Sequence, residues 1–161
     1  MKVKAILSLF ILIFLICGVL QRCKKSTTAL ETGCSPFTGI TETNEVANII
    51  GNTDPDDWKD SGFLYHLLAY PNPFDRSITI GYYLNSSANV TITVNKDPNQ
   101  VIRTIFVDQP HVPGGYTLTW DSKNESGDEV PDCIYRIYFT ATTDNGTEKT
   151  YGDIELKRYN E

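Results

Sequence analysis

The chain has 161 residues, of which 40% are hydrophobic, and a formal net charge of −6 at pH 7. This length allows one modest domain and excludes large enzyme architectures. Lys2, Lys4 and Arg22 lie near the N-terminus, so the chain after residue 22 has 11 basic and 20 acidic residues. Its net charge of about −9 would be repelled by nucleic acid phosphates. The composition therefore predicts a small domain that has no nucleic acid partner.

Residues 1–22 have the pattern of an export signal. Lys2 and Lys4 form a basic start, and an almost unbroken apolar run follows over residues 5–20. A helix of that run spans about 24 Å, which is short of the roughly 30 Å hydrocarbon core of a bilayer. Signal peptides combine a basic start with an apolar run of this kind. We therefore predict a signal peptide over residues 1–22, with a retained membrane helix as the alternative.

The residues around Cys23 continue this pattern. Leu20 lies three positions before Cys23, and a basic stretch rich in Ser and Thr follows it. The arrangement resembles a bacterial lipoprotein signal, in which the cysteine thiol receives a diacylglycerol and the cysteine amine becomes the mature N-terminus. Arg22 departs from that family, which has a small residue there. The resemblance implies lipidation of Cys23 and a lipid anchor, with the outer membrane favoured. Cleavage near residues 27–29 would instead give a soluble exported or secreted protein.

The four cysteines divide according to this interpretation. Cys17 lies in the apolar run and Cys23 at the lipidation position, which leaves Cys34 and Cys133. In an oxidising compartment this pair can form a disulfide, worth about 4–5 kcal/mol in the chain-entropy model for a loop near 100 residues. Two unrelated free thiols are the alternative. The sequence has no CxxC pair and no Cys/His cluster, so we predict no metal site.

Residues 23–62 are poor in apolar side chains and rich in Thr, Asn, Asp and Gly. They show no sustained helical or strand periodicity, which predicts a flexible tether. Residues 54–62 contain four aspartates, but Trp58 occupies a ligand position in the natural registers of a calcium loop. We predict a solvated turn there, with Trp58 packed on the domain that follows.

Residues 63–161 consist of short alternating apolar runs separated by turn residues, which predicts β-strands. The runs are residues 63–70, 78–84, 90–94, 101–107, 116–120, 133–141 and 150–156. Trp120 is the predicted core anchor. Asn145 and Gly146 are predicted to supply the two positive-φ residues of a tight hairpin. About seven strands at a spacing of roughly 8–12 residues indicate an all-β, immunoglobulin-like sandwich.

Four short motifs occur in order along this domain. They are AYPNPF at residues 69–74, PGGYTLTWD at 113–121, SGDEVP at 126–131 and IYRIYF at 134–139. Their order resembles the FlgD-like immunoglobulin domain, whose profile overlaps the type IX secretion C-terminal sorting domain, over residues 64–158. The resemblance implies structural roles for Tyr70, Pro71, Asn72, Pro73, Phe74, Gly115, Trp120, Asp121, Gly127, Pro131 and Tyr135.

The sequence offers no catalytic set. His66 and His111 are not near a nucleophile in any recognisable context, and no GxSxG or HExxH motif occurs. We therefore predict neither enzymatic activity nor a cofactor. The family resemblance implies a non-catalytic exported module of the cell envelope, binding an unidentified envelope protein or the secretion machinery. A type IX sorting domain that directs surface display or secretion is the alternative. A hydrolase or carbohydrate-binding unit that uses an open sheet face has only the aromatic side chains of Tyr83 and Tyr138 in its favour.

Overall fold

The structure, a computed structural model, describes residues 34–159. The predicted signal peptide over residues 1–22 and the predicted lipidation site at Cys23 lie outside these residues. Within 34–159 the chain forms seven strands. They are β1 (Leu64–Tyr70), β2 (Ile78–Leu84), β3 (Ala88–Asp97), β4 (Gln100–His111), β5 (Gly114–Trp120), β6 (Cys133–Thr143) and β7 (Gly146–Leu156). Over the described range, no helix has the length and apolar character needed to cross a membrane.

The strands form two antiparallel sheets, one in the order β1-β2-β5 and the other in the order β4-β3-β6-β7. The β2–β5 pairing stays in register from Ile78 opposite Trp120 to Leu84 opposite Gly114. Strands β1 and β7 contact each other on one side of the sandwich. On the other side, the rings of His111 in β4 and Tyr116 in β5 are 4.5 Å apart. The predicted all-β sandwich is confirmed.

The core lies between the two sheets and follows the alternation of each strand. Successive inward residues of β2, β3 and β6 are almost completely buried, because side chains two apart on a strand share a face. Trp120 is 2% exposed, and its ring centroid lies 5.8 Å from Phe74 and 5.4 Å from Tyr135. The indole nitrogen donates to the Lys123 carbonyl at 2.9 Å. Trp120 is therefore the core anchor that its sequence context predicts.

Tyr135, near the start of β6, closes the turn before that strand. Its hydroxyl donates to the Pro131 carbonyl four residues upstream, at 2.6 Å. A tyrosine that bonds back in this way at a strand corner is typical of immunoglobulin-like sandwiches. Burial raises the pKa of Tyr135 to about 12, so the hydroxyl stays protonated and able to donate at all ordinary pH values.

The β6–β7 hairpin forms, but its turn differs from the predicted one. Thr143 pairs with Gly146, so Asp144 and Asn145 are the two turn residues. Gly146 has a φ of 151°, whereas Asn145 does not have a positive φ. The predicted positive φ is present at Gly146 and absent at Asn145, because the two turn residues are Asp144 and Asn145 and not Asn145 and Gly146. Glycine is required only where the chain re-enters the sheet.

Residues 34–62, which we call the N-terminal strap, lie against the sandwich. Phe37 and Ile40 are buried. The Thr43 backbone exchanges hydrogen bonds with that of Asn72, at 2.8 and 3.1 Å. Trp58 packs against the core, its ring where any side chain at Gly152 would clash. The prediction of a flexible tether is therefore wrong for this stretch, because its partners lie far away in the sequence and leave no local periodicity.

A disulfide joins the start of the strap to the sandwich. Cys34 and Cys133 are bonded, with their Cα atoms 5.6 Å apart. Cys133 is buried at the first position of β6, so the bond ties the strap to a central strand of the larger sheet. The pairing that the cysteine count favours is present, and the alternative of two free thiols is wrong.

Candidate functional site

Asn72, at the centre of the YPNPF motif, joins the strap to β7. Its side chain is completely buried. The amide nitrogen donates to the Thr41 carbonyl at 3.0 Å and to the Asp153 carbonyl at 3.1 Å. The amide oxygen accepts from the Glu155 backbone N–H at 2.9 Å. All of these partners are main-chain groups, so Asn72 is a structural cross-link.

The residues beside Asn72 continue this contact along β7. The Tyr70-Pro71 and Asn72-Pro73 peptide bonds are both cis. The Phe74 N–H donates to the Glu155 carbonyl, and the Phe74 carbonyl accepts from residue 157, each at 2.9 Å. The motif thus lies along the outer edge of β7 and fills the backbone positions that another strand would use.

The other motif residues are dispersed and serve in turns or packing. Gly115 lies on β5 opposite Tyr83, and Asp121 is exposed directly after β5. Gly127 has a φ of 84° in a turn that its N–H closes by donating to the Asn124 carbonyl at 3.1 Å. Phe74, Trp120 and Tyr135 pack together in the core, but the motif residues as a whole do not form one site.

Both histidines are placed by ring packing. The His66 ring lies 5.9 Å from Trp58 and 5.1 Å from Phe139, and neither ring nitrogen has a hydrogen-bond partner among the described residues. Burial lowers the pKa of His66 to about 4, so this ring is neutral near pH 7. His111 packs against Phe106 and Tyr116. The two imidazoles therefore act as aromatic packing groups.

The main buried charge lies between the strap and the larger sheet. Arg136 on β6 donates two hydrogen bonds to the Asp153 carboxylate, at 2.7 and 2.6 Å. Its guanidinium lies between two rings, 4.3 Å from the centroid of Phe37 and 3.9 Å from that of Tyr151. Burial raises the pKa of Asp153, while the bonds from Arg136 act in the opposite direction. The pair is a structural link to the strap, since its cation is fully engaged.

Asp57 of the strap adds a second buried carboxyl to this cluster. Its Oδ1 accepts from the Asp153 backbone N–H at 3.0 Å, and its Oδ2 is buried without a partner among the described residues. Burial raises the pKa of Asp57 to about 7, and the charge of Asp153 adds to this shift. The charge of this cluster therefore changes as Asp57 gains or loses a proton, but the strap covers the cluster.

Residues 34–159 hold no group of His, Cys, Asp or Glu arranged to bind a metal ion. One open groove of about 740 Å³ lies at the end of the sandwich that carries Arg158. Arg158 donates to Asp132 at 2.6 Å and to the Val130 carbonyl at 2.9 Å. Ligand pockets are usually apolar with a few polar groups, whereas this groove is lined by charges of both signs, some of them already paired.

One sheet stands apart in its chemistry. Strands β1, β2 and β5 contain no Asp, Glu, Lys or Arg, although residues 34–159 hold 18 acidic and 9 basic residues. We call these three strands the uncharged sheet. Its outward side chains include Tyr65, Leu67 and Tyr83, which are 38%, 49% and 44% exposed. Exposed apolar side chains grouped on one uncharged sheet are a feature of interaction surfaces, so the candidate site is the outer surface of this sheet.

Seven strands in two antiparallel sheets, a buried tryptophan and a tyrosine corner define an immunoglobulin-like β-sandwich. Residues 74–145 match the model of the FlgD Ig-like domain family. This part of the chain is therefore similar to the FlgD Ig-like domain, as the order of its motifs indicates. The family is a non-catalytic one. No curated protein matches the sequence.

Two solved structures are similar to part of the chain. Dimeric latent PorU from Porphyromonas gingivalis is 15% identical, with a TM-score of 0.46, and the match covers 57% of this chain and 9% of that one. FlgD from P. aeruginosa is 22% identical, with a TM-score of 0.40, and the match covers 51% of this chain and 69% of that one. This chain therefore spans only a small share of PorU.

Two features of the structure have no signal in the local sequence pattern. Arg136 and Asp153 lie on predicted strands, but their ion pair joins residues 17 positions apart on different strands. The three strands that lack charge also form one sheet. The absence of charge is visible in the sequence, but the strand order that unites these strands is not.

Proposed function

We propose that this protein is a non-catalytic exported module of the bacterial cell envelope that is anchored by a lipid at Cys23 and binds another protein. The observation that carries the proposal is the disulfide between Cys34 and Cys133. Disulfides form and persist in oxidising compartments such as the periplasm or the cell surface. An exported chain fits this bond, and the signal pattern of residues 1–22 supplies the route.

The disulfide also sets the distance between anchor and domain. It fixes Cys34 to the sandwich, and ten residues separate Cys34 from Cys23. The eleven residue steps from Cys23 to Cys34 span at most about 40 Å when fully extended. A lipid at Cys23 would therefore keep the sandwich close to the membrane surface, where its partner would be an envelope protein.

Binding is supported by the family and by the surface. The FlgD Ig-like family is non-catalytic, and the polar cluster of Arg136, Asp57 and Asp153 is used for internal contacts. The uncharged sheet is left as exposed surface. A module whose charged cluster is used internally and whose uncharged sheet is exposed acts by binding a partner, and we assign it no reaction.

The anchor is tested by replacing Cys23 with Ser in the full chain, produced in its bacterial host with a radiolabelled fatty acid. The wild type is expected in the membrane fraction with the label, and the variant is expected to lose both. Cys17→Ser, within the apolar run, is the matched control and should behave as the wild type. Membrane retention of an unlabelled wild type would contradict the lipid anchor and support a retained helix.

A type IX sorting role makes a different prediction. Deleting residues 150–161 is not an informative test, because it removes the buried Ile154 and Leu156 of β7 and would unfold the domain. Residues 34–161 fused behind an exported reporter are a sharper one. A sorting domain would bring the reporter to the cell surface, whereas an anchored binding module would leave it in the periplasm.

A further inference from the structure

The two sheets have four edge strands, β1, β5, β4 and β7, and three of them are covered. Along β7, the Asp153 N–H donates to the Asp57 carboxylate and the Glu155 N–H donates to the Asn72 amide oxygen, at 3.0 and 2.9 Å. The Trp58 N–H donates to a β7 carbonyl at 2.9 Å. The strap and the YPNPF motif therefore occupy the β7 edge.

The β1 edge is covered by side chains and loops, whereas the β4 edge is covered near Ile102 and interrupted elsewhere by β-bulges and by Pro110. On β1, the His66 N–H donates to Asp60 at 3.0 Å, and the Thr43 hydroxyl donates to a β1 carbonyl at 2.7 Å. On β4, the Glu125 N–H donates to the Ile102 carbonyl at 3.0 Å, and Pro110 has no N–H to offer. Covers and prolines of this kind prevent pairing with another chain.

The contacts of β1 show which way the backbone of β2 points. His66 directs its N–H away from β2, toward Asp60, and Leu64 bonds outward in the same way. Bonded and non-bonded residues alternate in an antiparallel pair. Tyr65 therefore exchanges its backbone bonds with Tyr83, its partner on β2.

The same alternation fixes the outer edge of β5. Tyr82, next to the β2 residue that bonds β1, directs its backbone toward β5 and pairs with Tyr116. The backbone groups of Gly115, Thr117 and Thr119 therefore point away from the sheet. These N–H and C=O groups have no hydrogen-bond partner among residues 34–159. Strand β5 also has neither a charged residue nor a proline.

We propose that the β5 edge is the docking edge of this protein, and that it receives an extended segment of a partner protein, with apolar side chains at alternate positions and no acidic residues. Adding a strand in this way satisfies the backbone groups of Gly115, Thr117 and Thr119, and main-chain hydrogen bonds supply the affinity. This inference rests on the proposed binding function and gives it a location.

The alternate apolar positions follow from what lies beneath the edge. Strands β4 and β5 face each other on this side, and Phe106, Tyr116 and Leu118 are only partly buried there, packed against the core. An added strand places every second side chain on this inner side. Apolar side chains at those positions would cover the remaining exposed area of the three residues.

The charge of the partner follows from the charge of the domain. Residues 34–159 carry 18 acidic and 9 basic residues, so acidic segments are repelled and basic or neutral ones are favoured. A second copy of this chain would bring two acidic bodies together. We therefore assign the edge to a different protein.

The test places a photo-reactive benzoylphenylalanine at Thr119 in the full chain, produced in the bacterial host. The same probe at exposed Asn89, on a strand paired on both sides, is the control. Irradiation is expected to give a covalent adduct with one partner from position 119 and none from 89. The cross-linked peptide should have alternating apolar residues and no Asp or Glu. An adduct of twice the protein's mass would show a second copy, and no adduct, or equal adducts from both positions, would also overturn the proposal.

Backbone pairing is tested by two substitutions at one position. Thr117→Pro removes an outward N–H and leaves the bonds to β2, whereas Thr117→Val keeps the N–H and removes only the hydroxyl. The adduct is expected to fall at least tenfold with proline and to stay within twofold with valine. An adduct that survives proline, or is lost with valine, would contradict strand addition.

Two further comparisons keep these outcomes separate. If Thr117→Pro lowers the thermal midpoint by more than about 5 °C, Gly115→Pro replaces it, because a Cβ at Gly115 would make only an ordinary contact with the Tyr83 ring, at 3.8 Å. The Cys23→Ser variant reports the anchor alone. Loss of the membrane anchor with retention of the Thr119 adduct would remove the anchoring proposal and leave the docking edge intact, and the converse also holds.

Discussion

At the scale of single residues, buried polar side chains determine how the strap is held. The side-chain amide of Asn72 makes three hydrogen bonds to main-chain groups, which lie on two segments that are far apart in the sequence. Buried polar groups stabilise a fold when they are satisfied and destabilise it when a partner is lost. The YPNPF motif therefore has a structural explanation that centres on its asparagine.

Replacing Asn72 with Ala is expected to destabilise the protein by about 2–4 kcal/mol, because the substitution leaves two buried carbonyls and the partly buried Glu155 N–H without these partners. Urea unfolding of the full chain measures the change. Asn89→Ala, on an exposed position of β3, is the control and should change the stability by less than about 0.5 kcal/mol. Equal effects of the two substitutions would contradict the cross-link.

Asp57 makes the stability depend on pH. Its pKa in the folded protein is about 7, well above the ordinary value of an aspartate, so between about pH 4 and pH 7 the folded state holds a proton that the unfolded chain has lost. Stability therefore falls as the pH rises through this window and levels off above it. Asp57→Asn should flatten this slope and be more stable than the wild type at pH 8 by about 1–2 kcal/mol.

The Asp57→Asn comparison is made by thermal unfolding at pH 5 and pH 8. Asparagine keeps an oxygen that can accept from the Asp153 N–H, so the two proteins should be nearly equal at pH 5. Asp121→Asn, on the surface after β5, is the matched control. A constant difference between Asp57→Asn and the wild type at both pH values would contradict the raised pKa.

His66 has the opposite dependence. Burial lowers its pKa to about 4, so protonation favours the unfolded chain, and stability is lost as the pH falls from about 6.5 to about 4. His66→Phe keeps an aromatic ring beside Trp58 and Phe139. The free energy of unfolding of the variant, relative to that of the wild type, should be higher at pH 4.5 than at pH 7.5 by about 1–2 kcal/mol. Urea unfolding at each pH measures this difference. A gain that does not change with pH would show that His66 is not buried as described.

At the scale of elements, the positions of the strands can be predicted from the sequence, but the packing of the strap on the sandwich cannot. Alternation of apolar side chains gives the position of each strand, because one face of every strand is buried in the sandwich. The strap has few apolar residues and is held by hydrogen bonds to β7 and by the disulfide. These contacts join residues that are tens of positions apart, so no local pattern reveals them.

The disulfide provides a test of the strap. Replacing Cys34 and Cys133 together with Ser is expected to reduce stability by about 3–5 kcal/mol, because the bond closes a loop of 99 residues. Reduction of the wild type by dithiothreitol should reproduce most of this loss, measured as the urea midpoint. A midpoint unchanged by reduction would contradict the assignment of the strap as an element tied to the sandwich.

At the scale of the whole molecule, the sequence predicts the class of fold but not the arrangement of its edges. The motifs and the strand count indicate an immunoglobulin-like sandwich, and the match over residues 74–145 agrees. Which strand lies at an edge, and what covers it, depends on strand order and on Asn72, Asp57 and Asp60. The docking edge could therefore be found only from the structure.

Strand β5 is the open edge of the sandwich, whereas the edges at β1, β4 and β7 are closed. Native-state amide hydrogen exchange of the purified full chain, read residue by residue by NMR, measures this directly. The amides of His66, Asp153 and Glu155 donate to side-chain oxygens on covered edges and should be protected at least a hundredfold. The outward amides of Thr117 and Thr119 should exchange close to the rate of an unfolded peptide. Protection of these two amides in the isolated monomer, equal to that of the covered edges, would contradict the account.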